Sequence, residues 1–274
     1  MKKQDKRYSV PALEKSLVII ETLISAGQPL GISELASTVQ IPKSSVFTIL
    51  STLEEYGYIE KTDDGKFSMT LKLYHQGLRI LNQLDIRAVA KPFMEELARA
   101  TGYTVHMAQL MNGKAVYIEK VEGPSFVQFS TQIGQSWHLH NSGVGKAIAA
   151  YLPENVLERI VEKHGMPQTT PNTISDLSKF KAFLESVRKS GYAIEDEEGE
   201  PGVRCIAAPI FDRSGKVAAS ISVTAVRNEL PSYRFHEVGL MVKEKALLIS
   251  TKLGYIDPEK GDGEHEKSHE SINL

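Results

Sequence analysis

The chain has 274 residues, 41% hydrophobic and 24% charged, an ordinary globular composition with enough apolar material for two buried cores. Its net charge of −2 excludes a strongly basic chain, and even residues 1 to 80, with ten Lys/Arg against nine Asp/Glu, reach only +1. No apolar run of about 18 residues occurs, MKKQDKR stands where a signal region would be apolar, and the single cysteine, Cys205, rules out an intramolecular disulfide framework, which together predict a cytoplasmic protein with no membrane partner.

Residues 1 to 8 read as a polar arm, either lying along a phosphate backbone or without a role. Ser9 and Pro11 open a first helix. There Val10, Leu13, Leu17, Ile20 and Ile24 repeat at helical spacing and are expected to form its buried face until Gly27. A short helix follows, with Leu30, Ile32, Leu35 and Val39 apolar and Ser33 expected as its N-cap. Gln40 and Ile41 form a joint, and Pro42 starts a second helix running to about Tyr56 before Gly57.

This is helix-turn-helix grammar. Val46, Ile49, Leu50 and Leu53 share the inner face of the second helix, whereas Lys43, Ser44, Ser45, Thr48 and Ser51 share the outer one. Short hydroxyl side chains at a helix N-terminus let the backbone approach nucleic acid and bond phosphate oxygens. Residues 58 to 61 and 66 to 70 then alternate like strands around Thr62-Asp63-Asp64-Gly65, a hairpin signal that reads as a wing.

Residues 71 to 85 read as a linker helix interrupted around Gly77, and the next helix as broken before Pro92. Leu71, Leu73, Leu78, Ile80 and Leu81 fit packing either against a twin chain or within the chain. From Ile86 a second domain begins with a helix. Three strands are expected over 104 to 112, 114 to 122 and 126 to 134. Helices follow over 143 to 152, 153 to 163 and 176 to 190, then strands over 192 to 198, 203 to 212 and 216 to 226, and a helix over 233 to 253. The order implies an α+β domain with an antiparallel sheet of about six strands. Residues 255 to 274 are charged, lack an apolar pattern and read as a disordered tail.

SGVGK at 142 to 146 lacks phosphate-loop spacing and is better suited to offering helix N–H groups to a carboxylate. Ser222 and Thr224, two apart on one strand, place both hydroxyls on one side of the sheet, toward either a ligand or solvent. Cys205 with His138 and His140 allows a thiol nucleophile as the enzymatic alternative, against the commoner buried, inert cysteine. His106, His138, His140 and Cys205 lack close metal-ligand spacing, so neither metal nor cofactor is expected.

From about residue 9 to 253 the chain resembles the IclR family of bacterial transcription regulators. The carrying segments are LGISELASTVQIPKSSVFTILSTLEEYGYIEK, GKFSMTLKLYHQG, VYIEKVEGP, LHNSGVGKAIAAYLP and GYAIEDEEGEPGVRCIAAPIFDRSGKVAASISV. The resemblance implies a winged helix-turn-helix over 1 to 70, a linker helix over 71 to 85 and a GAF-like effector-binding domain over 86 to 254. It implies a double-stranded DNA operator and a small organic acid as partners, dimers through the DNA domains and tetramers through the effector domains. DNA contacts would come from Lys43, Ser44, Ser45, Phe47, Thr48, Ser51 and Lys66. Phe126, Trp137, Gly143, Val144, Glu195, Cys205, Ser222 and Thr224 would line the effector pocket. Two departures stand out: Glu195 where the family usually has Asp or Ser, and Phe47-Thr48 where His or Tyr followed by Arg is typical.

Overall fold

The computed structural model describes residues 9–83 and 85–257, which divide into two compact units, Met1–Gln83 and Leu84–Leu274. The expected arm at 1 to 8 and the tail beyond 257 lie outside the described residues, as do the side chains of Leu78, Ile80 and Leu81.

Unit 1 contains α1 (Pro11–Ala26), α2 (Ile32–Thr38), α3 (Lys43–Glu55), a hairpin of β1 (Ile59–Lys61) and β2 (Phe67–Met69), and α4 (Lys72–Gln83). Its core joins Ile19 and Leu23 of α1 to Leu35, Ile41, Val46, Ile49, Leu50, Ile59 and Phe67. This corrects the expected face of α1. Leu13, Leu17 and Ile24 are 57%, 50% and 56% exposed, because Ile19 and Leu23 make the inward contacts on a helix that is apolar on two sides.

The cap of α2 is also corrected. Gly31, not Ser33, is the N-cap, and its N–H donates to Glu34 Oε2 at 2.7 Å, which settles one donor the helix start leaves unpaired. Gln40 at the joint has φ +55°, the left-handed conformation that lets the chain reverse between α2 and α3. α4 runs through Gly77 without a break, and α5 (Ile86–Thr101) holds Pro92 inside it, so the expected interruptions are absent. Asp85 is the N-cap of α5, and its carboxylate accepts from Arg87 N at 2.9 Å.

Unit 2 is a six-stranded antiparallel sheet ordered β5-β4-β3-β8-β7-β6: β3 (Thr104–Met111), β4 (Lys114–Val121), β5 (Ser136–Trp137), β6 (Ala193–Asp196), β7 (Val203–Phe211) and β8 (Val217–Val226). Alternation sends Val105, Met107, Ile206, Ala208, Ile221 and Val223 to one face, under α5 and α9 (Phe235–Lys252). Ala108, Ala115, Tyr117 and Ala207 face the other side, against α6 (Gly143–Ala149), α7 (Glu154–His164) and α8 (Leu177–Ser190).

One expected strand does not form. Residues 126 to 133 cross from β4 to β5 outside any strand, and the edge is completed by 134 to 137, where Gly134 N donates to Tyr117 O at 2.7 Å and Tyr117 N donates to Gln135 O at 2.9 Å. The alternation there serves no fully buried side: Phe126 and Ile133 are exposed, and Phe129 and Thr131 are only half-buried. No described helix is long and apolar enough to cross a membrane.

Candidate functional sites

The outer face of α3 in unit 1 is exposed at Lys43, Ser44, Phe47, Thr48 and Ser51 and half-buried at Ser45. Lys43 to Ser45 form its first turn, where helix N–H groups and dipole favour a phosphate. Thr48 and Ser51 return their hydroxyl protons to Ser44 O and Phe47 O, both at 3.0 Å, so toward a phosphate they act only after rotating. In the wing, Lys66 Nζ lies 3.8 Å from Asp64 Oδ2, and Asp63 and Asp64 at the tip repel phosphate. The favourable surface is therefore the start of α3 with Phe47, an apolar group suited to a thymine methyl.

In unit 2 a cavity opens between the sheet and the start of α6. Its walls include Trp137, Gly143, Val144, Glu195, Cys205, Ser222 and Thr224, with Tyr117, Phe129, Thr131 and Asn141 beside them, around about 470 Å³ of empty volume that includes open solvent. Phe126 does not reach it, a correction to the expected set: it projects from the 122–135 segment fully exposed, and Phe129 and Tyr117 supply the aromatic wall. Of those two, Tyr117 was legible as an inward position beside Ala115 on β4. Phe129 carried no such signal.

Small residues set the close approach of α6. A Cβ on Gly143 would lie 3.0 Å from Cys205 Cβ, and one on Gly145 would strike Ser142 Oγ at 2.5 Å. Ser142 caps the helix through that hydroxyl, which accepts from Gly145 N at 3.2 Å. Ser220 Oγ donates to Val144 O at 3.0 Å and ties β8 to the same turn. Ser222 and Thr224 are both buried, so the paired hydroxyls face the cavity side of the sheet.

The polar groups around the cavity are strongly desolvated. Burial raises the Glu195 carboxyl to about 7, although Gly199 N donates to it at 3.0 Å and Glu198 N also donates. Burial likewise pushes the Cys205 thiol well up, and its sulfur sits 3.4 Å from Thr224 Oγ1. Lys146 is wholly buried, paired with Glu198, its ammonium 4.2 Å from the Phe183 ring centroid. Thr169 and Thr173 hydroxyls each donate to Glu198 O at 2.7 Å, holding the 197 to 199 turn. Trp137 Nε1 and Asn141 Oδ1 are buried without a hydrogen-bond partner. Among the described residues no group of three or more His, Cys, Asp or Glu is arranged to hold a metal.

Comparison with known proteins agrees with this architecture. The profile described as "Bacterial transcriptional regulator IclR C-terminal" matches residues 78–251, and the "IclR helix-turn-helix domain" matches residues 12–63. The chain is 32% identical to the HTH-type transcriptional regulator KdgR of Escherichia coli over 91% of this chain and 95% of that one. It is 33% identical to the HTH-type transcriptional repressor AllR of Salmonella typhimurium, over 90% and 91%. The crystal structure of Thermotoga maritima IclR superposes with a TM-score of 0.60 at 31% identity, covering 89% of this chain and 99% of that one.

Proposed function

Because this chain belongs to the IclR family of bacterial transcription regulators and is a ligand-responsive DNA-binding regulator, we propose that it represses a catabolic operon until a small hydroxylated carboxylate fills its unit 2 cavity. Its place of action is then the cytoplasm, where the operator is.

The observation that carries the effector class is the pair of orphaned side-chain atoms on Trp137 and Asn141, two residues of the cavity wall. Buried polar groups without partners each cost about 1–3 kcal/mol, so their presence on a cavity wall favours a ligand that completes them. Trp137 Nε1 needs an acceptor, which a carboxylate oxygen supplies. Asn141 Oδ1 needs a donor, which a hydroxyl supplies. The start of α6 at Gly143 and Val144 favours negative charge, and Ser222 and Thr224 offer two more donors.

A panel of short-chain hydroxy, keto and aromatic acids tests this. A hydroxy acid is expected to quench Trp137, the only tryptophan, and at 100 times its dissociation constant to stabilise the fold by about 2.7 kcal/mol. Ser222→Ala with Thr224→Val removes that response and leaves DNA binding intact. A panel without effect on either signal, or a double variant that responds like the parent, contradicts the pocket.

Glu195 gives the response a pH dependence of defined sign. With its carboxyl raised to about 7, an incoming anion meets a neutral neighbour below that pH and a like charge above it. Acid binding is expected to weaken by up to about tenfold per unit as pH rises above 7, and Glu195→Gln to flatten the slope. The same group makes stability fall as pH rises from the ordinary carboxylate value toward 7, since the folded state then holds the proton more tightly than the unfolded one. Affinity that is level from pH 6 to 8 in the parent argues against an anion beside Glu195.

Unit 2 binds and does not turn over its ligand on this reading, because burial keeps Cys205 a protonated thiol and not a nucleophile. The acids are expected to be recovered unchanged after incubation.

The regulator acts as a dimer through the apolar face of α1. Val10, Leu13, Leu17 and Ile24 are all more than half exposed or at half, and one DNA unit of charge +1 is a weak operator ligand alone. Leu13→Glu with Leu17→Glu is expected to shift the assembly one step toward monomer in sedimentation at micromolar concentration. An unchanged mass places the contact elsewhere.

A further inference from the structure

Resting on the effector reading above, we propose that His106 is a positioning residue: it sets Thr224 as a donor toward the bound acid and links that contact to Thr131 in the 122–135 segment.

His106 lies near the middle of β3, opposite Ser222 of β8 and Lys120 of β4, and is wholly buried. It is not part of the cavity wall, yet three of its neighbours are. The Tyr117 ring stacks on it with centroids 4.5 Å apart, Thr224 Oγ1 lies 3.1 Å from Nδ1, and Thr131 Oγ1 lies 2.6 Å from Nε2. Both ring nitrogens are thus engaged, each by a hydroxyl on the wall.

Burial, with Lys120 nearby, lowers the imidazole to about 3, so the ring is neutral at physiological pH. A neutral imidazole has one N–H donor and one acceptor nitrogen, which makes its two hydrogen bonds dependent on each other. With the proton on Nδ1, the ring donates to Thr224 Oγ1 and Thr131 O–H must donate to Nε2. Thr224 then keeps its own proton for a third partner. With the proton on Nε2, Thr224 gives its proton to Nδ1 and turns only lone pairs toward the cavity.

A carboxylate oxygen accepts and never donates, so a bound acid selects the Nδ1–H form. Without an acid, the Cys205 sulfur at 3.4 Å is the neighbour able to accept the Thr224 proton, and thiols are weak acceptors. Occupancy replaces it with a charged oxygen, and charge-assisted bonds are about twice as strong as neutral ones. The far end of the chain is Thr131. Its segment is also held by Lys120 Nζ donating to Phe129 O at 2.6 Å and Ser125 Oγ donating to Glu229 Oε1 at 3.2 Å. Only the Thr131 link among these three runs to a cavity hydroxyl through a single ring.

The test uses the full chain with sodium glycolate, glycerate, threonate and gluconate as probes. It reads Trp137 emission, amide exchange of peptides covering 122 to 135, and the ¹⁵N spectrum of His106, assigned by its loss in His106→Asn. With the acid that quenches Trp137, the expected result is an Nδ1–H ring and several-fold slower exchange of the segment. Thr131→Val, a change in a connecting segment and not in a strand, should still bind, about tenfold more weakly, with no slowing of exchange. His106→Asn, which retains a donor near the Nδ1 position and lacks Nε2, should bind better than His106→Leu and also lose the slowing.

An Nε2–H ring in the bound protein, or parental slowing in Thr131→Val, overturns the proposal while leaving the effector class standing. If none of the four acids quenches Trp137, the effector class fails and the link is decided in the free protein. There Thr131→Val should speed exchange of 122 to 135 several-fold. Unchanged exchange overturns the link as well.

Discussion

Ser44→Glu is expected to abolish operator binding while the protein folds as before. Ser44 is exposed in the first turn of α3, flanked by Lys43 and Ser45, at the end of the helix where N–H groups are unpaired. A carboxylate at that position stabilises the helix itself, because it meets the positive end of the dipole. The same charge would face a phosphate at contact distance. Like charges juxtaposed in an interface cost several kcal/mol, which is more than a hundredfold in affinity for one half-site and would be repeated at the second half-site of the proposed dimer. Lys43→Ala should act differently: affinity falls moderately for every sequence, and the slope of log affinity against log salt drops by about one per half-site. Gel shifts of a pseudo-palindromic operator, with a melting curve for each variant, separate these outcomes. Ser44→Glu that binds like the parent would remove the start of α3 from the interface, and a large fall in melting temperature would mean Ser44 supports the fold.

Much of the architecture was legible because local and long-range signals agree in it. In α3, Pro42 at the start, Gly57 after the end and the inward spacing of Val46, Ile49 and Leu50 all specify one helix in one orientation. The wing has its Asp-Gly turn, and the strands of unit 2 from Thr104 and from Val203 onward alternate with two buried sides to satisfy. Misreadings fall where one signal stood alone. Periodicity in α1 found an apolar face but could not tell which of two is inward, since that depends on Leu35 and Val46 arriving from elsewhere. Gly77 and Pro92 were read as breaks from local preference, and helix continues through both positions. Residues 126 to 134 alternate like a strand, yet β4 finds its partner in 134 to 137.

The cavity divides the same way. Ser222 and Thr224 were visible as a pair on one side of β8, but only the fold decides that this side is enclosed. Glu195 and Cys205 came from family resemblance, and their opposition across β6 and β7 is a matter of register that no spacing reveals. His106 was considered only as a metal ligand. Its partners Thr131 and Thr224 lie 25 and 118 residues away in the chain, beyond any local pattern.

Lys146→Met is expected to cost about 3–5 kcal/mol of stability, the usual penalty for removing one partner of a buried ion pair. Lys146 has no exposed surface, and Glu198, its partner, is 6% exposed. Burial lowers the affinity of the ammonium for its proton and the facing carboxylate opposes that. Removing the ammonium would strand Glu198 in a site whose second carboxylate oxygen already has no partner. The turn cannot readily swing Glu198 out to water, since Thr169 and Thr173 hold its carbonyl and Thr170 Oγ1 donates to Glu197 O at 2.7 Å. Glu198→Gln added to Lys146→Met removes the stranded charge. The double variant should therefore recover more than half of the loss, a coupling that chemical denaturation of the single and double variants measures directly. Additive losses would show that packing of the Lys146 chain against Phe183, and not the unpaired carboxylate, sets the cost. A single variant within about 1 kcal/mol of the parent would show that the site admits water and that the pair is dispensable to the fold.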